Sequence, residues 1–379
     1  MQPSCLNEKK QPVNNLTNIN MENTVTTNGN EEPIKLTKYS HGAGCGCKIS
    51  PMVLDEILKT SSPLPVNSKL LVGNSSKDDA AAYDIGNGMA LISTTDFFMP
   101  IVNDAFDFGR IASANAISDV YAMGGTPVMA IAILGWPVEK LPASLAQQVL
   151  EGSRAICAEA GIPLAGGHSI DAPEPIFGLA VSGLVPIENL KQNNTAKAGD
   201  QIFLTKPLGV GVMATAQKRG LLREEDLPVL IAQLTKLNSI GAALGKIKGV
   251  SAMTDVTGFG LLGHLIEMAE GSGLSAVIEY AKIQATQGVR EYLAQRIVPD
   301  STFRNWNSYS DKVAFDKSVN VMEAFNLLPD PQTNGGLLIA VQPEAVAAVQ
   351  QLFKENQLDA FLEPIGVFTN EEEKRVRVV

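Results

Sequence analysis

Two cysteines, a histidine and a lysine share the eight residues His41-Gly42-Ala43-Gly44-Cys45-Gly46-Cys47-Lys48. The thiolate is the reactive form of cysteine and a nearby ammonium favours it, so Cys45 and Lys48, three positions apart, are a candidate catalytic pair. Lys48 can instead neutralise a phosphate oxygen. The glycines admit positive φ and the segment holds almost nothing to bury, so it reads as a mobile loop that closes over a ligand, with its thiols exposed. A zinc site on His41, Cys45 and Cys47 lacks the second ligand pair that a structural zinc needs.

Carboxylates are the second signal. Asp79, Asp96, Asp119 and Asp255 each stand beside a Gly-rich turn or at the end of a predicted element. Singly, each reads as a turn or N-cap residue. Together with a reactive loop they read as hard oxygen ligands for Mg²⁺, the ion that bridges phosphate oxygens. Asn115 and Asp119 lie four apart on an otherwise apolar predicted helix, where a carboxylate requires a partner. The stretch Ala165-Gly166-Gly167-His168-Ser169-Ile170-Asp171 reads as a turn offering consecutive N–H groups and a hydroxyl. Two lookalikes carry less. Gly241 to Ile247 imitates a phosphate-binding loop but is one residue short between its glycines and ends in Ile where Ser or Thr must hold the metal. His264, on an apolar helical face, reads as a core histidine.

These groups need a scaffold. The chain has 379 residues, 45% of them hydrophobic, which exceeds what one core usually serves and points to two domains. Residues 1–34 are too polar to offset their ordering entropy and read as a disordered tail. A short helix is expected from Pro51 to Leu58. Strands follow at Leu70–Val72, Ala80–Tyr83 and Met89–Ser93, a helix over 107–123, a buried strand at Val128–Leu134, a helix at Ser144–Ala160 and a strand at Ile176–Val185. Polar residues 193–200 mark the boundary between domains 35–192 and 193–379. Beyond it, strands at 201–204, 276–280, 336–341, 365–368 and 375–379 alternate with helices near 212–219, 226–244, 261–269 and 343–353, so both halves are α/β or α+β. A net charge of −10 and a pI near 5.0 exclude a nucleic-acid backbone as partner. No apolar run spans a bilayer or forms a signal peptide, and four cysteines in so long a chain are not a disulfide framework, which together point to the cytoplasm.

Six segments, taken in order, resemble the selenophosphate synthetase (selenide, water dikinase) family. They are His41–Lys48, Lys77-Asp78-Asp79-Ala80-Ala81, Ser93–Pro100, Asn115–Asp119, Gly166–Pro175 and Thr254–Gly260. The likeness runs from about Lys35 to the C-terminus. It implies an aminoimidazole ribonucleotide synthetase-like two-domain fold, a homodimer paired through its N-terminal sheets, and conversion of ATP, selenide and water to selenophosphate, AMP and orthophosphate. By the same resemblance Cys45 and Lys48 are catalytic, and Asp79, Asp119 and Asp255 bind Mg²⁺. Lys48, Ser76, Lys77, Asp78, Asp96, Asp119 and the Gly167-His168-Ser169 segment contact ATP. Three roles stay open for Cys45: holding selenium as a persulfide-like adduct, guiding selenide to the γ-phosphate, or managing its proton. Asn334 stands where the family pattern leads one to expect Ser, and Asp300-Ser301-Thr302 replaces a glycine-richer stretch. The alternatives are an ATP-dependent ligase or small-metabolite kinase of the same superfamily, which does not need the cysteine loop, and a non-catalytic thiol or selenium-binding module, which does not need the aspartates.

Overall fold

The computed structural model describes residues 33–47, 49, 51–59, 67–73 and 78–379, with the side chains of residues 47, 51, 52 and 55 left out. Nearly all of the expected disordered tail, Lys48, and the Ser76-Lys77 pair lie outside the described residues. In the first half, α1 (Pro51–Leu58) precedes β1 (Leu70–Val72), β2 (Ala81–Gly86) and β3 (Met89–Phe98). Then come α2 (Ala105–Ala122), β4 (Thr126–Trp136), α3 (Ala143–Glu159), β5 (Leu164–Asp171) and β6 (Ile176–Pro186). The second half begins with β7 (Gln201–Leu204), α4 (Val210–Lys218), α5 (Leu227–Thr235), α6 (Gly241–Leu244), β8 (Val250–Asp255), α7 (Gly260–Ser272) and β9 (Leu274–Ile278). It continues with α8 (Val289–Ala294), α9 (Asp300–Tyr309), β10 (Val313–Phe315), α10 (Val321–Leu327), β11 (Leu337–Val341), α11 (Val346–Glu355), β12 (Gly366–Asn370) and β13 (Val376–Val378).

Two sheets result, a six-stranded one ordered β1-β2-β3-β6-β4-β5 and a seven-stranded one ordered β10-β13-β9-β12-β7-β11-β8. The first is antiparallel except for the parallel pair β4 and β5. Lys35–Val379 form one compact unit. Its central element is α2, buried on nearly every face from Ala105 to Ala122. One side of α2 packs on β3 and β6 and another on α3, while α5, α6 and β8 of the second half cover the rest. That double cover is why its sequence lacks a polar face, and it places Asn115 and Asp119 between the two halves.

Three expectations change. Residues 165–171 form no turn: they run as β5 in parallel register with Ala132 to Trp136 along the open edge of β4. Only glycine fits at Gly167, because a Cβ there would lie 2.4 Å from the Ala132 carbonyl oxygen. The helix expected over 226–244 is broken after Thr235, where Lys236 adopts an extended ψ of 119°. Side chains from elsewhere capture the freed carbonyls, as described below. Helices α8, α9 and α10, with strand β10, occupy a region that the sequence pattern left unassigned.

Helices α2 and α3 approach closely through a pair of glycines. A Cβ on Gly109 would lie 1.9 Å from the Val149 carbonyl oxygen, and one on Gly152 would lie 1.9 Å from that of Phe106. Backbone on both sides cannot move aside as a side chain would, so Gly152→Ala pries the helices apart. The expected destabilisation is about 1–3 kcal/mol by urea unfolding. The same change at Gly220, where a Cβ meets nothing within 4 Å, adds only the strain of its φ of 71°. Equal midpoints for wild type and Gly152→Ala would show that the crossing is not glycine-dependent.

Candidate active site

Four elements bring the aspartates together. Asp79 precedes β2, Asp96 lies on β3, Asp119 on α2, and Asp255 ends β8. Carboxylate oxygens of Asp79, Asp119 and Asp255 all fall within 4.8 Å of one another. Each of the three receives a hydroxyl from a residue that the sequence reading did not single out as functional. Thr254 Oγ1 donates to Asp79 Oδ1 at 2.7 Å, Thr94 Oγ1 to Asp119 Oδ2 at 2.5 Å, and Ser118 Oγ to Asp255 Oδ2 at 2.5 Å. Asn238 Nδ2 donates in turn to Ser118 Oγ and to the Gly335 carbonyl, both at 2.8 Å. Ser118 and Thr254 sit inside motifs quoted from the sequence, and Thr94 follows the strand alternation of β3. Asn238 carried no local signal.

The cluster is electrostatically loaded. Burial first, then the negative charges of Asp255, Asp78 and Asp119, hold the Asp79 carboxyl well above the usual range. Burial pushes Asp78 up to about 6, against backbone N–H donors from Asp79 and Asn193. Asp79 Oδ2 is buried with no hydrogen-bond partner. An orphaned oxygen beside two more carboxylates is a donor set that suits a hard divalent cation. A compensating charge of the chain lies close by. Lys206 is buried and donates from Nζ to the carbonyls of Lys236 (2.7 Å) and Asn334 (2.8 Å). Burial pushes it down to about 7, while Asp255 acts to raise it. The helix break after Thr235 serves this arrangement, because Asn334 Nδ2 also takes the carbonyls of Leu234 (2.8 Å) and Lys236 (2.9 Å).

Cys45 is where the structure departs most from expectation. Instead of an exposed thiol it is 1% exposed, within a short 3₁₀ turn, Gly44–Cys47. The reason is that both halves have atoms ready to receive it. Its N–H donates to Thr333 Oγ1 at 3.0 Å and its Sγ to Asn115 Oδ1 at 3.3 Å. Gly44, at φ 50°, packs so closely that a Cβ would lie 2.6 Å from both Ile101 and Thr333 side-chain atoms. Asn115 is the junction: Oδ1 also accepts the Asn334 N–H at 2.7 Å, while Nδ2 donates to Asp96 Oδ2. Because the backbone N–H fixes which end of the amide is oxygen, this amide faces Cys45 as an acceptor and so pairs with a thiol S–H. His41 stands apart, exposed, with Nδ1 2.9 Å from Glu174 Oε2. The side chain of Cys47 is not described, and the same holds for Lys48, Ser76 and Lys77.

Other expected residues lie away from the cluster. Gly167, His168 and Ser169 are exposed on β5, three strand positions from β3. His264 is buried, stacked on Phe259, with Nε2 3.3 Å from Thr257 Oγ1, as a core histidine. Gly241–Leu244 is a helical turn packed on Tyr121 and holds no phosphate loop.

Two family descriptions cover this architecture: AIR synthase related protein, N-terminal domain, over residues 77–185, and its C-terminal domain over 197–379. Solved structures of the same fold include thiamine-monophosphate kinase from Stenotrophomonas maltophilia (TM-score 0.59, 20% identity, 82% of this chain and 91% of that one). Another is the hydrogenase maturation protein HypE in complex with ATP (TM-score 0.61, 18% identity, 81% and 83%). The fold is therefore that of the AIR synthase-related proteins. Within it, the chain is 59% identical over 333 residues to selenide, water dikinase of Colwellia psychrerythraea (88% of this chain, 95% of the relative). It is 56% identical over 348 residues to that of Pseudomonas putida (92% and 99%). The chain belongs to the selenide, water dikinase family.

Asn115→Ala removes the acceptor of the Cys45 thiol and the Asn334 N–H together with the donor to Asp96. Each buried group left unpaired costs about 1–3 kcal/mol, so unfolding free energy in urea is expected to fall by at least about 2 kcal/mol. An unchanged transition would contradict the bridging role.

Proposed function

We infer that the chain is a selenide, water dikinase that converts ATP, selenide and water to selenophosphate, AMP and orthophosphate, with Mg²⁺ required. The observation that carries the reading is the bonded path from Cys45 through Asn115 to Asp96, one helical turn along α2 from the Asp79, Asp119 and Asp255 cluster. An ordinary kinase or ligase of this fold accounts for the carboxylates but leaves Cys45 without a task. A thiol-binding module accounts for Cys45 and leaves the carboxylates without one.

Asp79, Asp119 and Asp255 are the proposed Mg²⁺ ligands; when bound, Mg²⁺ neutralises phosphate oxygens. Transfer of a phosphoryl group needs positioning and charge neutralisation more than covalent help. Thr94, Ser118 and Thr254 each donate to one oxygen of a carboxylate and so fix its orientation. Lys48, Ser76, Lys77, Asp78, Asp96 and Asp119 are the proposed ATP contacts. Cys45 and Lys48 are the catalytic residues, with Cys45 facing selenium. Residues 35–192 are the proposed ATP-binding domain and 193–379 the C-terminal domain.

The first sheet supports a homodimer. Gly167, His168 and Ser169 lie about 14 Å from β3 at ordinary strand spacing, so in one chain they sit apart from the aspartates. The sheet also carries exposed apolar residues on four strands, including Ile85, Phe97, Ile131 and Ile170. An apolar face of this kind suits a second copy of the chain, and that copy would supply the Gly167–Ser169 contact to the nucleotide. The cytoplasm is the proposed compartment, in keeping with two buried cysteines, Cys45 and Cys157, and no described helix long and apolar enough to cross a membrane.

Cys45→Ser is expected to abolish selenide-dependent AMP formation, and Cys47→Ser to retain substantial activity, when AMP is followed by anion-exchange chromatography. Equal loss in both variants would remove Cys45 from its assigned place.

A further inference from the structure

Beside the cysteine turn lies an open cavity of about 560 Å³ that the carboxylate cluster does not line. Its charge is the reverse of the chain's. Although the chain carries a net −10, the cavity is lined by Lys218, Arg219 and Arg304 against one carboxylate, Asp300. Among the described residues none of these three cations forms an ion pair with a carboxylate. Among the described residues their hydrogen bonds go to main-chain carbonyls. Lys218 Nζ donates to Ser40, His41 and Gly42 at 2.9, 3.1 and 3.0 Å, Arg304 Nη2 to Gly46 at 2.9 Å, and Arg219 Nη2 to Val298 at 3.4 Å. Carbonyls orient the two arginines without cancelling their charge, whereas Lys218 also feels the nearby Glu174 carboxylate. A guanidinium has five N–H donors, so both arginines keep donors to spare.

The cavity also adjoins the reactive sulfur. A smaller pocket lined by Cys45 shares Gly46, Ser301 and Arg304 with it. Thr333, whose Oγ1 accepts the Cys45 N–H, lines the large cavity as well. An anion held there would lie in a cavity that none of Asp79, Asp119 and Asp255 lines, so the cations of the chain would bind it without a metal.

We propose that this cavity is a metal-independent site for a tetrahedral phosphoryl oxyanion, held by hydrogen bonds from Arg219, Arg304 and the Ser301 hydroxyl, with Lys218 contributing charge only. Guanidinium forks match the paired oxygens of such an anion better than they match a monatomic one. The naming of its source rests on the proposed function: the two phosphoryl products, orthophosphate and selenophosphate, share this chemistry. Occupancy by either would report on product leaving past the Cys45 turn.

The test uses the full chain, freed of divalent metal with EDTA and without nucleotide. Inorganic phosphate, and separately thiophosphate as a stable stand-in for the selenium product, are titrated by isothermal calorimetry. Saturable binding of phosphate by wild type is expected, weakened at least about tenfold in Arg219→Gln/Arg304→Gln and less in Arg304→Lys, which keeps charge but loses the fork. Tighter binding of thiophosphate than phosphate assigns the site to the selenium-bearing product, and the opposite order assigns it to orthophosphate. Circular dichroism melts establish that the variants are folded. No saturable binding, binding that appears only with Mg²⁺, or binding that survives in the folded double variant overturns the proposal. AMP formation from ATP and selenide, measured in parallel, separates the two readings. Phosphate binding without AMP formation refutes the dikinase reading and leaves the site. AMP formation without phosphate binding does the reverse.

Discussion

Three carboxylates within 4.8 Å of one another in a largely buried space are the constraint on which the rest depends. At an effective dielectric constant near 20, two full charges at such a distance repel by about 3–4 kcal/mol, and three such pairs rival the whole net stability of a domain. The fold answers with one hydroxyl donor per aspartate and a buried lysine whose charge opposes Asp255. One Asp79 oxygen is left with no partner. These compensations come from both halves of the chain, so the site exists only when β8 and the segment around Asn334 are seated against α2. The cluster and the packing of α2 are one problem with one solution.

The cysteine turn obeys the same logic. The Cys45 thiol is held from the first half by Asn115, and the backbone of the turn and of the residues before it from the second half by Thr333, Arg304 and Lys218. A glycine-rich segment with nothing of its own to bury acquires a defined place because charged and polar groups on both sides capture its carbonyls and N–H groups. Structures of thiamine-monophosphate kinase and HypE show the same scaffold at 18–20% identity, which illustrates that the scaffold leaves the chemistry to particular side chains.

Much of this was legible from residue types alone. The almost wholly apolar helix α2, the strands flanking it and the helix at Ser144–Ala160 were readable because burial and local conformation agree there. Asp79, Asp119 and Asp255 were readable as candidates through their turn neighbours and the family resemblance. What escaped notice has a common cause: it is set by contacts distant in sequence. Lys206 precedes a proline and carries no local signal of burial, yet its charge is placed by carbonyls of residues 236 and 334. Asn238 and the break after Thr235 have no local breaker, since Ser118, Gly335 and Asn334 supply the partners that end the helix. Asn334 had been noted only as a departure from expectation, and it joins the two halves at Asn115. Ala165–Asp171 read as a turn from its glycines, but the free edge of β4 makes it a strand. Cys45 read as exposed because the groups that bury it lie 70 and 288 residues away.

The central claim is that this carboxylate cluster and Cys45 act on one substrate pair, and ³¹P NMR tests it most directly. Protein with Mg²⁺, ATP and selenide under anaerobic conditions is predicted to yield a phosphorus resonance split by selenium, together with AMP and orthophosphate in equal amounts. ADP as the sole nucleotide product, with no selenium-coupled signal, would contradict the account.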